Sequence, residues 1–157
     1  MLTKGKTPPP FKVFIVDDNI ELAEIYGAAL AAEGFEVQRC KDTSTAVAEG
    51  TTIVPDLILL DIMMPGLNGF DALVAFRNTI QTSTTKIIMF SALNQSEDIE
   101  KARTLGADGY IVKSTTSVDE VVAEVKAALG VTATPPAPQT GQSTQVDASD
   151  TSSTPSV

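Results

Sequence analysis

The chain has 157 residues, 20 of them acidic and 11 basic, so its formal net charge is −9; it contains no histidine. An acidic chain without a cluster of basic residues repels phosphate backbones and anionic lipids, so nucleic acid and membrane surfaces are not expected as direct partners. The missing histidine excludes histidine acid–base catalysis, histidine metal ligands and a phosphohistidine within this chain.

No segment of the sequence is typical of a membrane span or a leader peptide. The apolar runs fall well short of the roughly 20 residues that cross a bilayer. The N-terminal MLTKGKTPPP contains lysines, but no apolar stretch of signal-peptide length follows them. A cytoplasmic location is therefore expected.

Composition divides the chain into three parts. Residues 1–10 are a lead-in, residues 11–130 have the apolar content of one folded domain, and residues 131–157 are almost entirely Thr, Ser, Pro, Ala, Gln and Gly. Such a tail has too little apolar surface to offset its ordering entropy, so we expect it to be disordered. Leaving out its two aspartates changes the net charge from −9 to −7.

Short apolar runs rich in β-branched residues alternate with helical patterns between residues 11 and 130. Three of the runs are almost continuously apolar, which is typical of strands covered on both faces in a parallel sheet. The predicted strands are Lys12–Val16, Phe35–Arg39, Leu57–Leu60, Lys86–Phe90 and Tyr110–Val112.

A helix is predicted after each of these strands, because apolar residues recur there at helical spacing. The predicted helical positions are Leu22, Ile25, Tyr26, Ala29 and Leu30; the short segment Thr43–Glu49; Phe70, Leu73, Val74 and Ile80; Ile99, Ala102 and Leu105; and Val118, Val121, Val122, Val125 and Leu129. Ser117 and Glu120 form a predicted capping box, and Gly34 and Gly130 are predicted helix stops. Five strand–helix repeats indicate an α/β doubly wound parallel sheet with five strands and five helices.

Polar residues follow four of the predicted strands. Asp17 and Asp18 follow the first strand, Asp61 the third, Ser91 the fourth and Lys113 the fifth. In an open α/β sheet these positions lie at one edge, where ligands bind. Taken singly, each residue has a plain structural explanation as a helix cap, a turn residue or a surface residue. The functional interpretation depends on their arrival at the same edge as a chemically complementary set.

The chemistry of this set favours a phosphoryl group. Three crowded carboxylates need a cation, and a site with oxygen ligands alone favours Mg²⁺ over softer metals. A divalent cation, the Lys113 ammonium and the Ser91 hydroxyl together would stabilise an oxyanion with charge on several oxygens. Asp61 is the candidate nucleophile, as in aspartyl-phosphate chemistry, and the Asp17–Asp18 pair suits metal binding.

The sequence resembles the response regulator receiver family over about residues 11–130. The matching motifs, whose order and spacing are specific, are VDDN at 16–19, LLDIMMPGLNG at 59–69, FSA at 90–92 and GADGYIVKS at 106–114. The resemblance implies a flavodoxin-like sheet order of 2-1-3-4-5. It also implies that Asp61 accepts a phosphoryl group from a sensor histidine kinase or a phosphotransfer protein, in a two-component phosphorelay.

The family's site residues carry over onto this sequence one by one. The resemblance implies that Mg²⁺ is bound by Asp17, Asp18, Asp61 and the backbone carbonyl of Met63.

It further implies that Lys113 contacts the phosphoryl oxygens, that Ser91 moves to hydrogen-bond the phosphoryl group, and that Tyr110 swings inward behind Ser91. The surface that changes would then be the fourth helix, the fifth strand and the fifth helix. The sequence identifies no downstream target, and a homodimer that forms on phosphorylation is one partner that it leaves open.

Three features depart from the family pattern. Ser114 follows Lys113, where the family usually has a proline with a cis peptide bond; a cis bond to serine costs about 3–4 kcal/mol, so a trans bond is expected. Ser91 replaces the commoner threonine. Met63 and Leu93 flank the site with apolar groups, which would hinder the hydrolytic water and prolong the phosphorylated state.

Three other functions share part of this pattern. A haloacid-dehalogenase-like phosphohydrolase would carry D-x-D after its first strand and a substrate cap. A flavodoxin-type electron carrier would carry a Ser/Thr-rich phosphate loop at the same place. The first predicted strand is followed instead by Asp-Asp-Asn, which disfavours both functions. A degenerate receiver that only binds proteins stays an alternative, although the acidic set, hydroxyl and lysine are complete. We expect no enzymatic activity apart from the domain's own phosphorylation and dephosphorylation.

Overall fold

A computed structural model describes residues 10–64 and 67–131 of the chain. The expected lead-in and tail lie outside the described residues, apart from Pro10 and Val131. None of the helices in the described part of the chain is long and apolar enough to cross a membrane.

Five parallel strands alternate with five helices, in the sheet order β2-β1-β3-β4-β5. The strands are β1 Lys12–Val16, β2 Glu36–Cys40, β3 Leu57–Leu60, β4 Lys86–Ser91 and β5 Gly109–Val112. The helices are α1 Ile20–Ala32, α2 Thr43–Ile53, α3 Gly69–Arg77, α4 Ser96–Thr104 and α5 Val118–Leu129, with 3₁₀ turns at Ile80–Thr82 and Lys113–Thr115. The predicted fold class and strand order are confirmed.

The two faces of the sheet carry separate cores. Alternate side chains of the central strands point to opposite faces, so β1, β3 and β4 are buried on both. One core packs against α1 and α5 and includes Val13, Ile15, Leu57, Leu59, Tyr26, Leu30, Val121 and Val125. The other packs against α2, α3 and α4 and includes Phe14, Val16, Ile58, Leu60, Ala46, Leu73, Phe76 and Ala102.

The third helix is shorter than predicted, and Ile80 does not belong to it. The helix ends at Arg77, and Ile80 is 88% exposed in the following 3₁₀ turn. The interior position is taken instead by Thr82, which is fully buried because its hydroxyl donates to the Phe76 carbonyl at 2.7 Å. A polar residue thus packs where the apolar pattern predicted isoleucine.

The first two helices also differ from the pattern. In α1, Ile25 is half exposed, because the buried stripe runs through the small residues Ala23 and Gly27. A Cβ at Gly27 would lie 3.3 Å from Val37, so glycine lets the helix approach β2 closely. The second helix continues four residues beyond the predicted Glu49, since Gly50 packs against Phe76.

The predicted end signals of α1 and α5 are confirmed. Ser117 and Glu120 form the capping box that begins α5, and Gly130 ends that helix with a left-handed φ of 73°. Gly34 follows α1 with a φ of 99°, a conformation that glycine adopts at little steric cost.

Candidate functional site

The site lies at the carboxyl edge of the sheet, where the chain reverses its direction of winding. Strand β1 pairs with β2 on one side and with β3 on the other, so the segments after β1 and β3 diverge and leave a crevice. Backbone hydrogen bonds hold the first residue after each of these two strands. The Asp17 N–H donates to the Cys40 carbonyl and the Asp61 N–H donates to the Val16 carbonyl, each at 2.9 Å.

Three carboxylates meet in this crevice. Oxygens of Asp17, Asp18 and Asp61 lie within 4.8 Å of one another; Asp17 and Asp61 are buried and Asp18 is exposed. Asp17 Oδ1 accepts the N–H of Asn19 at 2.9 Å, which orients the carboxylate. Asn19 itself is the N-cap of α1, as the structural explanation of this motif predicted.

Lys113 lies between the two buried carboxylates. Its Nζ is 2.6 Å from Asp17 Oδ2 and 3.5 Å from Asp61 Oδ2, and it lies 5.2 Å from the centre of the Phe90 ring. The contact with Asp17 is an ion pair that lacks the alignment of a hydrogen bond, so Asp17 Oδ2 is a buried acceptor without a hydrogen-bond donor. One ammonium group offsets only part of the charge of three carboxylates.

The Asp61 carboxyl has a strongly altered acidity. Burial raises its pKa from 3.8 to about 6, Lys113 lowers it, and the neighbouring charge of Asp17 raises it. Because desolvation raises the pKa more than Lys113 lowers it, the positive charge near the Asp61 carboxylate is too small to offset its burial.

The residues of the crevice fit a hard divalent cation. The donor set consists of oxygens, with no histidine in the chain, and it includes the buried, unsatisfied Asp17 Oδ2. Asp17, Asp18 and Asp61 are the residues that could hold such an ion. This cluster is the one group of potential metal ligands found among the described residues.

The β3–α3 loop, which is described at residues 61–64 and 67–68, begins with Asp61 and leads into α3. Ile62 and Met64 are buried, whereas the Met63 side chain between them is 63% exposed. The Gly69 N–H closes the loop by donating to the Ile62 carbonyl at 2.9 Å. A Cβ at Gly69 would lie 2.2 Å from the Asp61 carbonyl oxygen, so only glycine fits.

Ser91 and Tyr110 both bind the backbone of Leu93. The Leu93 N–H donates to Ser91 Oγ at 3.2 Å, and the Tyr110 hydroxyl donates to the Leu93 carbonyl at 2.8 Å. Ser91 is fully buried at the end of β4. Burial, followed by the charge of Asp98, raises the pKa of the Tyr110 hydroxyl. The two predicted switch residues are thus joined through one backbone segment.

The segment after Lys113 differs from the usual family geometry. No cis peptide bond occurs among the described residues, so the Lys113–Ser114 bond is trans, as predicted. The chain forms a 3₁₀ turn at Lys113–Thr115 before α5 begins.

The structure brings together the predicted Asp17, Asp18, Asp61 and Lys113 at one edge. The sequence did not predict that Thr43 lies near this edge, where its hydroxyl donates to the Leu67 carbonyl. Its only signal was a threonine at the predicted start of the second helix, which does not distinguish a surface hydroxyl from a buried one.

Ligands of doubly wound domains bind at this switch point, and the crevice here combines an acidic cluster with the Lys113 ammonium. The sequence model of the response regulator receiver domain matches residues 13–126, and the chain belongs to this family. Receiver domains are signalling modules of two-component response regulators.

Relatives and solved structures agree with this family. The DNA-binding response regulator MtrA of Mycobacterium tuberculosis is 36% identical over 118 residues, 75% of this chain and 50% of MtrA. The transcriptional regulator RpaA of Synechocystis is 31% identical over 75% of this chain and 48% of its own length. The chain therefore spans about half the length of these relatives.

Among solved structures, Vibrio cholerae chemotaxis protein CheY4 superposes with a TM-score of 0.72 at 28% identity, over 76% of this chain and 99% of CheY4. The BeF3-activated receiver domain of Klebsiella pneumoniae RstA superposes with a TM-score of 0.70 at 26% identity, over 75% of this chain and 97% of that domain.

Proposed function

We propose that this chain is a phosphorylation-activated receiver that accepts a phosphoryl group on Asp61 from a sensor histidine kinase or a phosphotransfer protein. The observation that carries the proposal is the position of the Asp61 carboxylate, 3.5 Å from the Lys113 ammonium and within a cluster of three acidic side chains. This arrangement supplies a nucleophile, a fixed positive charge and a set of cation ligands at one point.

In the proposed reaction, a carboxylate oxygen of Asp61 attacks the phosphorus of a phosphohistidine on the partner. The new oxygen–phosphorus bond replaces the phosphorus–nitrogen bond, and the departing imidazole takes up a proton. The attack needs the ionised carboxylate, which its pKa of about 6 provides at neutral pH. Since the chain has no histidine, the donor is another molecule.

The proposed cofactor is Mg²⁺, held by Asp17, Asp18, Asp61 and the backbone carbonyl of Met63. When bound, it supplies positive charge for the crowded carboxylates and for the phosphoryl oxygens. Lys113 then contacts the phosphoryl oxygens from its place between the two buried carboxylates.

The proposed conformational change begins at Ser91. Its hydroxyl oxygen accepts the Leu93 N–H; when the hydroxyl moves to donate to a phosphoryl oxygen, the Leu93 segment shifts with it. Tyr110 is bound to the carbonyl of the same residue, so its ring moves inward behind Ser91. The phosphoryl group thereby biases a two-state element at α4, β5 and α5.

The proposal includes a protein as the downstream target and excludes direct contact with nucleic acid. The relative MtrA is named a DNA-binding regulator, whereas the net charge of −9 on this chain would repel a phosphate backbone. A cytoplasmic location is part of the proposal.

The test is intact mass spectrometry after incubation with acetyl phosphate and Mg²⁺. We expect the wild type to gain one phosphoryl group, and the gain to vanish with EDTA or in Asp61→Ala. Asp71→Ala, which removes an exposed carboxylate on α3, is the matched control and should be modified like the wild type. A gain that survives Asp61→Ala would refute Asp61 as the acceptor.

If no sample gains mass, two explanations are left, and binding of Mg²⁺ and beryllofluoride separates them. Uptake of Mg²⁺ and beryllofluoride would then indicate a receiver that rejects small donors. No uptake of either would indicate a degenerate receiver that only binds proteins.

A further inference from the structure

Thr43 is a fully buried polar residue at the start of α2, close to the carboxyl edge of the sheet. It is not needed to cap its helix, because the Asp42 side chain accepts the Ser44 N–H at 2.8 Å and fills that role. The Thr43 hydroxyl donates instead to the Leu67 carbonyl in the β3–α3 loop. A buried hydroxyl needs such a partner, whereas valine would fill the same space without one.

The hydrogen bond from Thr43 restrains the β3–α3 loop at Leu67, close to the start of α3. Leu67 is 36% exposed, so packing of its own side chain fixes its position only in part. At the other end, the loop begins with the Asp61 carboxylate and the Met63 carbonyl, and the Gly69 N–H bonds back to its start. The hydroxyl of α2 therefore restrains the backbone that carries two proposed ligands.

We propose that Thr43 is a positioning residue for the phosphoryl-acceptor site. Through the Leu67 carbonyl it holds the β3–α3 loop in the conformation that directs the Asp61 carboxylate and the Met63 carbonyl to the cation. This inference rests on the proposed function. Outer partners that orient ligands typically contribute about 10–100-fold to metal affinity, and a single tether acting through the backbone belongs at the lower end of that range.

The test compares three variants of the full chain. Thr43→Val keeps the shape and removes the hydroxyl; Thr43→Ser keeps the hydroxyl and removes the methyl group. Thr82→Val is the matched control, because Thr82 is also fully buried and its hydroxyl donates to the Phe76 carbonyl, at the opposite edge of the sheet. Mg²⁺ affinity is measured by titration calorimetry, beryllofluoride uptake by NMR, and stability by urea unfolding.

We expect Thr43→Val to bind Mg²⁺ about tenfold more weakly than the wild type. Thr43→Ser and Thr82→Val should bind it as the wild type does, although both are less stable. If Thr43→Val does not fold, Thr43→Ala and Thr43→Ser make the same comparison, since both lack the methyl group.

The inference is overturned if the wild type binds Mg²⁺ and the variants without the Thr43 hydroxyl bind it equally well. It is also overturned if Thr82→Val weakens Mg²⁺ binding as much, because loss of stability alone would then explain the effect. A wild type that takes up neither Mg²⁺ nor beryllofluoride overturns the proposed function, and this inference with it.

Discussion

The ammonium group of Lys113 forms an ion pair with the buried carboxylate of Asp17, with 2.6 Å between Nζ and Oδ2. This contact is shorter than the 3.5 Å that separates the same ammonium from Asp61. Lys113 therefore neutralises a proposed metal ligand more closely than it neutralises the proposed nucleophile. A cation at the acidic cluster would take over this role and leave the lysine to the phosphoryl group.

Replacement of Lys113 should therefore tighten Mg²⁺ binding while it impairs phosphorylation. A divalent and a monovalent cation about 4 Å apart repel by about 2 kcal/mol even in water, and screening by salt reduces this to about 1 kcal/mol. We expect Lys113→Met to lower the Kd for Mg²⁺ by about fivefold, as measured by calorimetry, and to lower the rate of phosphorylation by acetyl phosphate. Lys86→Met removes the same charge at the opposite edge and should leave the Kd unchanged; equal Kd values for both variants would refute the competition.

Asp61 should make the protein less stable at neutral pH when no metal is present. Its pKa is about 6 in the folded chain and 3.8 in the absence of structure, so the folded state binds this proton more tightly. Ionisation therefore opposes folding. The cost is absent below about pH 4, grows as the pH rises towards 6 and is complete above that.

The corresponding variant is Asp61→Asn, which is neutral at every pH. In EDTA at pH 7.5, its free energy of unfolding in urea should exceed that of the wild type by on the order of 1 kcal/mol. This value is discounted because the carboxyl group is partly in contact with water. The difference should disappear as the pH falls from 6 to 4. Asp71→Asn, which changes an exposed carboxylate, should show no such pH dependence; a constant difference for Asp61→Asn would contradict the shifted pKa.

The sequence predicted the sheet and the acidic edge well, because both depend on local patterns. Continuous apolar runs such as Leu57–Leu60 report burial on both faces, and Asp61 follows that run directly. The prediction was wrong where tertiary contacts decide which of two nearby residues is buried. Ile80 is exposed and Thr82 is buried because a hydroxyl finds a carbonyl partner there, which spacing alone cannot reveal.

Arg77 should be a major contributor to stability at the edge away from the site. Its guanidinium donates to the carbonyls of Gly106 at 2.9 Å and Thr85 at 2.7 Å, and to the Asp108 carboxylate at 2.8 Å. Lysine cannot reproduce this planar set of donors. Urea unfolding should show a loss of about 2–3 kcal/mol for Arg77→Lys.

The matched control for Arg77 is Arg103, whose ion pair with Glu100 is exposed on both sides. Because surface pairs contribute little, Arg103→Lys should cost less than about 0.5 kcal/mol. Equal losses for the two arginines would show that the carbonyl contacts of Arg77 do not stabilise the fold.

A methyl group at Gly69 should displace the β3–α3 loop. The added Cβ would lie 2.2 Å from the Asp61 carbonyl oxygen and 2.5 Å from the Ile62 Cα, and neither backbone atom can yield alone. We expect Gly69→Ala to cost about 3 kcal/mol or more in urea unfolding and to weaken Mg²⁺ binding. Gly34→Ala places its methyl in open space at a φ of +99°, so it should cost about 1 kcal/mol and leave Mg²⁺ binding intact.

Met63 should prolong the phosphorylated state. Its side chain lies two residues beyond the proposed acceptor and is 63% exposed, so it presents an apolar group to the water next to the site. An asparagine amide at this position could orient a water for attack on the phosphoryl group. We expect Met63→Asn to lose its phosphoryl group about fivefold faster than the wild type, which corresponds to one hydrogen bond of about 1 kcal/mol.

The rate is measured by intact mass after removal of the phosphoryl donor, at constant Mg²⁺. Met63→Leu, which keeps an apolar side chain, should decay like the wild type. Leu67→Asn tests position, because it introduces the same amide at an exposed residue of the same loop, four residues after Met63. Equal rates for Met63→Asn and the wild type would show that water reaches the phosphoryl group by a path that Met63 does not cover.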